Sequence, residues 1–322
     1  MYFNKANDFF HGLMFHHFHD EGIHPKSQGS INKDELFKII NFIGRKNILS
    51  ADLFFEKFKN NKLKDHEVCL TFDDALKSQI DVALPILEDL KIKSFFFVYS
   101  SIFDEKPDNL EYFRYFRMNY YKSVDDFYSD FYRYLNRDCE AFFQTYKNNI
   151  KNLKIKYSFY SIEDIKFRLV RDFLLSRNDY EKIMFLMFED KKFNYTDFSK
   201  KLFFQKNDLI NLNKLGHLIG SHGHYHNTQI ENLGYEEQKK EYEKSLSTIS
   251  DVLGKHENQI KFMSHPCGSY NLNTLDILKQ LGIELGFKNL MEIEPERGMK
   301  KINNSPLEIA RQNHSDVLKH IY

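Results

Sequence analysis

The sequence predicts an α/β protein, an irregular parallel (β/α) barrel that carries a large helical insertion. Three observations lead there. First, VCLTF (Val68–Phe72) is a β-rich apolar run, a helical stretch through Leu84, Leu87 and Leu90 follows it, and SFFFVYS (Ser94–Ser100) is a second apolar run. That is a βαβ unit, and it implies parallel pairing. Second, the same alternation resumes after residue 206 and runs to the end of the chain. Third, between about Asp104 and Lys206 it stops, and aromatic helical segments such as VDDFYSDFYRYL and IEDIKFRLVRDFLL take its place.

Taken in order, GLMFHHF (Gly12–Phe18) reads as a short strand, and Asn32 with Glu35 three positions on is a helix start of the capping-box type. Leu36, Ile39, Ile40 and Ile43 recur at helical spacing and Gly44 stops the helix. A second amphipathic helix follows Ser50. Beyond the insertion, LGHLIGSH (Leu215–His222) is a strand, Glu236–Leu253 a helix capped by Gly254, and IKFMSHP (Ile260–Pro266) another strand. A helix over Asn273–Leu281 ends at Gly282, before IELGFK and a last extended segment, LEIAR (Leu307–Arg311). The organisation is therefore 1–67 completing the barrel from the N-terminal side, 68–103 its first part, 104–206 the insertion and 207–322 its second part.

Lys+Arg and Asp+Glu both number 46, so no bulk field draws the protein to nucleic acid. Three cysteines, Cys69, Cys139 and Cys267, are too few and scattered for a disulfide framework or a thiolate zinc site, so any metal needs His and carboxylate ligands. No stretch of ~20 apolar residues provides a transmembrane segment. The N-terminal residues lack the pattern of a signal peptide, which makes a cytoplasmic location the expectation, or a periplasmic or extracellular one if the chain is a mature form. The 32 Phe and 19 Tyr, with no Trp and abundant Lys, Asn and Ile, match the codon bias of an A/T-rich genome and are not read as function.

Four clusters carry chemistry, and each follows a predicted strand. Asp73 and Asp74 come directly after VCLTF, at the rim where barrel enzymes project catalytic groups; the plainer reading is a helix cap. His222 and His226, in GSHGHYHN, are four apart, a spacing that on one helical turn aims both imidazoles at one point. His224 between them points elsewhere, toward a supporting or exposed position. SHPCGSYN (Ser264–Asn271) is a Pro-Cys-Gly turn, which chain reversal alone would explain. FHHFHD (Phe15–Asp20) brings His16, His17 and His19 to the end of the first strand, where polar decoration is the plainer reading. Their convergence on the strand ends of one barrel is what argues for a site.

TFDD (Thr71–Asp74), HLIGSHGHYH (His217–His226) and MSHPCGSYN (Met263–Asn271) together resemble the first three motifs of the polysaccharide deacetylases, the carbohydrate esterase family 4 or NodB-homology group. The resemblance covers roughly Val68–Ser100 and Leu209–Phe287. It implies a distorted (β/α)7 barrel that removes an N-acetyl group from an amino sugar or glycan with a divalent metal, zinc first among candidates. By motif, Asp73 is implied as general base, Asp74, His222 and His226 as metal ligands, and the Cys267 backbone N–H as an oxyanion donor.

The departures are informative. Ala75 stands where the family has glycine, Gly223 where it has Ser/Thr, and Ser264 where it has an arginine; the fourth motif's tryptophan is missing from a chain with no Trp. No late Leu-x-x-His segment supplies a general acid. The resemblance therefore extends to the circularly permuted, poly-N-acetylglucosamine deacetylase-like branch, whose acid comes from an N-terminal Tyr-His strand. GLMFHHF is similar to that strand, with Phe15 for the Tyr, which implies His16 as the acid, with His17 and His19 as rivals. It also implies Arg311 as the replacement for the missing arginine beside Asp73. Two other functions compete with an amino-sugar N-deacetylase: a non-sugar amidohydrolase on this fold, and a decayed carbohydrate-binding protein. The insertion is expected to shape or cover a cleft or to form a homo-oligomer interface.

Overall fold

The computed structural model describes residues 9–104, 107–156, 160–195, 198–291, 303 and 305–322. Residues 1–8, part of the N-terminal stretch read for a signal peptide, lie outside them. Seven strands form one sheet: β1 (His11–Phe15), β2 (Val68–Phe72), β3 (Phe95–Val98), β4 (Leu218–Ser221), β5 (Phe262–Ser264), β6 (Leu285–Phe287) and β7 (Arg311–Asn313). Their order is β6-β5-β4-β3-β2-β1-β7 and every pairing is parallel. Phe287 also bridges Ile309 in parallel, and the Gly12 amide donates to Ala310 O at 2.9 Å. The segment leading into β7 thus ties both edges of the sheet, and the result is a nearly closed, distorted (β/α)7 barrel.

The helices between strands start and stop where the side chains dictate. Lys33–Ile43 opens with the Asn32/Glu35 capping box, buries Leu36, Ile39, Ile40 and Ile43, and ends at Gly44. Ala51–Lys59 follows Ser50. Tyr235–Leu253 ends at Gly254, which takes the left-handed conformation (φ +62°) that an L side chain adopts only with strain. The barrel core is aromatic: Phe54, Phe95, Phe97 and Phe287 pack with Cys69, Leu285 and Ile309.

Two readings change. The first strand ends at Phe15 rather than Phe18, so the histidines after it lie on a loop. The segment from His222 to His226 is a loop as well, not a helical turn. Gly223 (φ +75°) and His226 (φ +49°) turn it back on itself, and those two left-handed residues, not helical spacing, make the imidazoles converge.

Contacts divide the chain into two compact units, residues 1–108 with 200–322, and residues 109–199. In the second, serine-capped helices Val124–Leu135, Ile162–Leu169 and Arg177–Asp190, with Leu110–Asn119, bury an aromatic core of Phe113, Phe116, Phe127, Phe131, Phe167 and Phe188. Among the described residues, no helix is long and apolar enough to cross a membrane.

Candidate active site

The sheet register brings the strand ends to one rim. β1 and β2 pair Phe15 with Phe72, so His16 and Asp73 emerge side by side, and the Asp73 amide continues the ladder to Phe15 O at 3.0 Å. Val98 pairs with Ser221 and Ser221 with Met263, which places His222 and Ser264 on the same level. Arg311 lies lower, opposite Gly12. Its side chain rises through the interior, and a Cβ on Gly12 would stand 3.0 Å from its Cγ, so the glycine is what leaves room for it.

Asp73 is buried and held on one side only. Its Oδ1 accepts from Arg311 Nη1 at 2.7 Å and from Ser264 Oγ at 3.2 Å, whereas Oδ2 has no hydrogen-bond partner. Arg311 is itself fixed by Nε donation to Lys288 O at 2.7 Å. Burial alone would raise the carboxyl's pKa; the Arg311 charge, with His222 and His16, outweighs it and holds the group below the ordinary carboxylate value. Ser264 stands where an arginine was expected, and the small side chain leaves the Asp73 oxygen to a guanidinium arriving from β7.

Asp74, His222 and His226 form a buried cluster with their ligand atoms within 4.8 Å of one another. His222 Nε2 lies 3.4 Å and His226 Nε2 3.2 Å from Asp74 Oδ1, an oxygen that is buried without a hydrogen-bond partner. Donors about 2.0–2.2 Å from a tetrahedral metal sit at roughly this mutual spacing. His222 Nδ1 faces Ser264 O at 2.9 Å and Ser264 Oγ at 2.6 Å, so donation to the carbonyl leaves the Nε2 lone pair toward Asp74. An orphaned carboxylate oxygen facing the Nε2 atoms of two imidazoles is the donor set of a borderline divalent cation, and these residues fit one. Asp74 (φ +74°) and Ala75 (φ +51°) are both left-handed, which accounts for the glycine expected at position 75.

Of the three N-terminal histidines the fold brings one to this cluster. His16 Nε2 lies 3.8 Å from Asp73 Oδ2 and 3.9 Å from Asp74 Oδ2, and its side chain is a quarter exposed. Burial pushes its pKa down to about 4, although both aspartates pull it up. The His17 ring stacks beside that of His16, while His19 is turned away, with Nδ1 2.9 Å from Ser30 Oγ. Cys267 sits on the turn Pro266–Gly268 with φ +52° and its side chain is exposed.

Supporting residues were missed in the sequence. Gln79 Nε2 donates to both His16 O and Asp73 O, tying together the loops that carry acid and base candidates. Glu241 accepts from the backbone amides of His224 and Tyr225 at 2.7 and 2.6 Å and so clamps the His222–His226 loop. His224 is buried and supports that loop through Ser100 Oγ, 2.8 Å from its Nδ1. A signal existed for Glu241: Gln238, Glu241 and Ser245 occupy the face of their helix that also buries Tyr242, Leu246 and Ile249.

Comparisons with known proteins agree with this geometry. The family model "Polysaccharide deacetylase" matches residues 60–115 and 173–286. No curated protein matches the sequence significantly. Solved structures of similar fold include Streptococcus pyogenes deacetylase PplD in complex with acetate (TM-score 0.54, 15% identity, 97% of this chain and 98% of that one). IcaB from Ammonifex degensii has TM-score 0.54 at 12% identity, over 95% of this chain and 91% of its own. A de-N-acetylase from Aggregatibacter actinomycetemcomitans has TM-score 0.54 at 15% identity, over 97% and 99%. At these identities the likeness establishes the fold; it is the family match, over more than half of the residues, that identifies the chain as a member of the polysaccharide deacetylase family, an N-deacetylase of the hydrolase class.

Proposed function

We propose that the protein is a metal-dependent deacetylase that removes acetyl from an N-acetylated amino sugar in a glycan. The observation that carries the reading is the position of Asp73 Oδ2: free of hydrogen bonds, and 3.9 Å or less from both His222 Nε2 and His16 Nε2. A divalent cation, zinc by preference, held by Asp74, His222 and His226, supplies the Lewis acidity that activates water and polarises the acetamide carbonyl.

The chain's own groups do the rest. Arg311 and Ser264 occupy Asp73 Oδ1, so the carboxylate stays ionised and Oδ2 is the oxygen that takes the water's proton. His16 is neutral at rest and lies beside the same oxygen; it becomes an acid on receiving that proton and gives it from Nε2 to the departing amine. The Cys267 N–H, presented by the Pro266–Gly268 turn, serves the developing oxyanion. Acetate and a free amino sugar result. The acetate bound in the PplD structure is the product such a reaction releases, which supports the reading. Acetate release from chitooligosaccharides and nucleotide-linked N-acetyl sugars, with metal content measured on the same sample, tests it; hydrolysis confined to non-sugar amides would favour the amidohydrolase alternative.

A further inference from the structure

The two members of the acid–base pair are held in different ways. Hydrogen bonds from Arg311 and Ser264 fix the Asp73 carboxylate itself. The His16 ring has no such anchor among the described residues: its Nε2 stands 3.8 and 3.9 Å from the two aspartates, beyond hydrogen-bond reach, and its ring lies beside that of His17. Its placement must therefore come from the backbone of the loop that carries it.

Residues 78–81, shortly after the aspartates, grip that loop along its length. Gln79 Nε2 donates to His16 O at 2.8 Å, the Phe18 amide donates to Ser78 Oγ at 3.2 Å, and His24 Nε2 lies 2.9 Å from Asp81 Oδ2. The far end of the loop is itself compact, because Asp20 Oδ1 accepts from the amides of Gly22, Ile23 and His24. Gln79 opens a π-helical turn, Gln79–Ala83, in which the Leu84 amide donates to Gln79 O. Such an i→i+5 turn rotates successive side chains through a smaller angle than an α-helix does, which lets neighbouring residues serve one side.

Gln79 is the central contact. It is fully buried, and its amide gives N–H bonds to two backbone carbonyls, His16 O and Asp73 O. Two carbonyls facing one amide also fix its orientation, since both would repel the oxygen end. Oε1 is left buried without a hydrogen-bond partner. An apolar side chain of the same shape would fill this space without an orphaned acceptor. What the amide adds is a set separation between the residue that carries the acid and the residue that carries the base.

We infer that Ser78, Gln79 and Asp81 are positioning residues that set the His16 imidazole against Asp73 Oδ2, with Gln79 the decisive member. The inference rests on the reading of His16 as acid and Asp73 as base; Gln79 acts through them. The grip also separates the N-terminal histidines, since it holds the backbone on either side of His17, at His16 O and Phe18 N, while His19 is turned to Ser30. Proton transfer needs this alignment, because a misplacement of ~1 Å can lower a rate ~10²-fold.

The test combines histidine-ring NMR with kinetics of the zinc-loaded full chain on N-acetylglucosamine oligomers. Gln79→Met keeps the shape and removes the donor. It should shift or broaden the His16 ring signal, identified by its absence from His16→Ala, and leave that of the exposed His256 in place. Its kcat should fall about 10- to 100-fold, with KM and zinc content within about twofold of wild type. In a His16→Ala background the same substitution should lower the rate by no more than about twofold, because the group it positions is gone. Ser78→Ala, which removes an outer contact, should show a smaller change of the same kind and serves as the second variant if Gln79→Met folds poorly. An unmoved His16 signal, or an equal rate loss with and without His16, overturns the inference. A slow His16→Ala beside an unimpaired Gln79→Met overturns the inference alone, whereas His16→Ala at the wild-type rate overturns it together with the acid assignment.

Discussion

Arg311 Nη1 donates to Asp73 Oδ1 at 2.7 Å across 238 positions of sequence, with both side chains 1% exposed. A residue at the start of the last strand thereby sets the charge state and the free oxygen of the candidate base.

Arg311→Met should cost stability of about 3–5 kcal/mol, because it leaves the Asp73 carboxylate buried and unpaired. Without the guanidinium, burial dominates and the Asp73 pKa rises, so the acidic limb of the pH–rate profile should move to higher pH. The sign for stability follows from the depressed folded-state value: the wild-type contribution is full above the unfolded carboxylate range, about pH 4, and is lost as pH falls through the lower folded value. An acid limb that does not move would separate Arg311 from Asp73.

Gly12→Ala should destabilise by about 1–3 kcal/mol, since the added methyl meets Arg311 Cγ at 3.0 Å, Thr71 Cγ2 at 3.2 Å and Phe287 Cδ1 at 3.3 Å. Denaturant unfolding reads it. A neutral result would mean that the Arg311 path has slack.

Much of this arrangement was legible because strand ends carry their chemistry in sequence. Asp73, Asp74, His222 and His226 follow apolar runs, and a parallel barrel sends such positions to one rim. What the sequence could not display is geometry that depends on distant chain. The His222–His226 loop converges through left-handed backbone at Gly223 and His226 rather than helical periodicity, and Gln79 matters only because the barrel sets His16 beside Asp73. Ser264, met as a departure from a pattern, has a role only once Arg311 is seen approaching from β7.

Metal uptake should release a proton. In the metal-free cluster burial would lower the His226 pKa, but the adjacent Asp74 carboxylate outweighs it and holds the ring at about 10, so it is protonated at neutral pH. Apparent zinc affinity should therefore rise about tenfold per pH unit between about pH 6 and 8. Calorimetry in buffers of different ionisation enthalpy measures the proton count. His222→Ala with His226→Ala should retain no stoichiometric metal; retention would move the metal elsewhere.

His16→Ala should bind metal normally while its rate falls by ~10²–10⁴, the scale of a lost general acid for an amine leaving group. Replacing His17 should do far less. His19→Ala should act on stability through Ser30 rather than on rate. Comparing the three variants at matched folded concentration decides among them, and a large rate defect at His19 with none at His16 would contradict the assignment.

The central claim, that Asp73 is the base beside a metal held by Asp74, His222 and His226, is tested most directly by acetate release from an N-acetylglucosamine oligomer by zinc-loaded wild type and Asp73→Asn. The account predicts metal-dependent release by the wild type and, in a variant that still binds zinc and stays folded, a loss of ~10² or more. Equal rates in the two proteins, or zinc-loaded wild type that releases no acetate from any N-acetyl sugar, would contradict it.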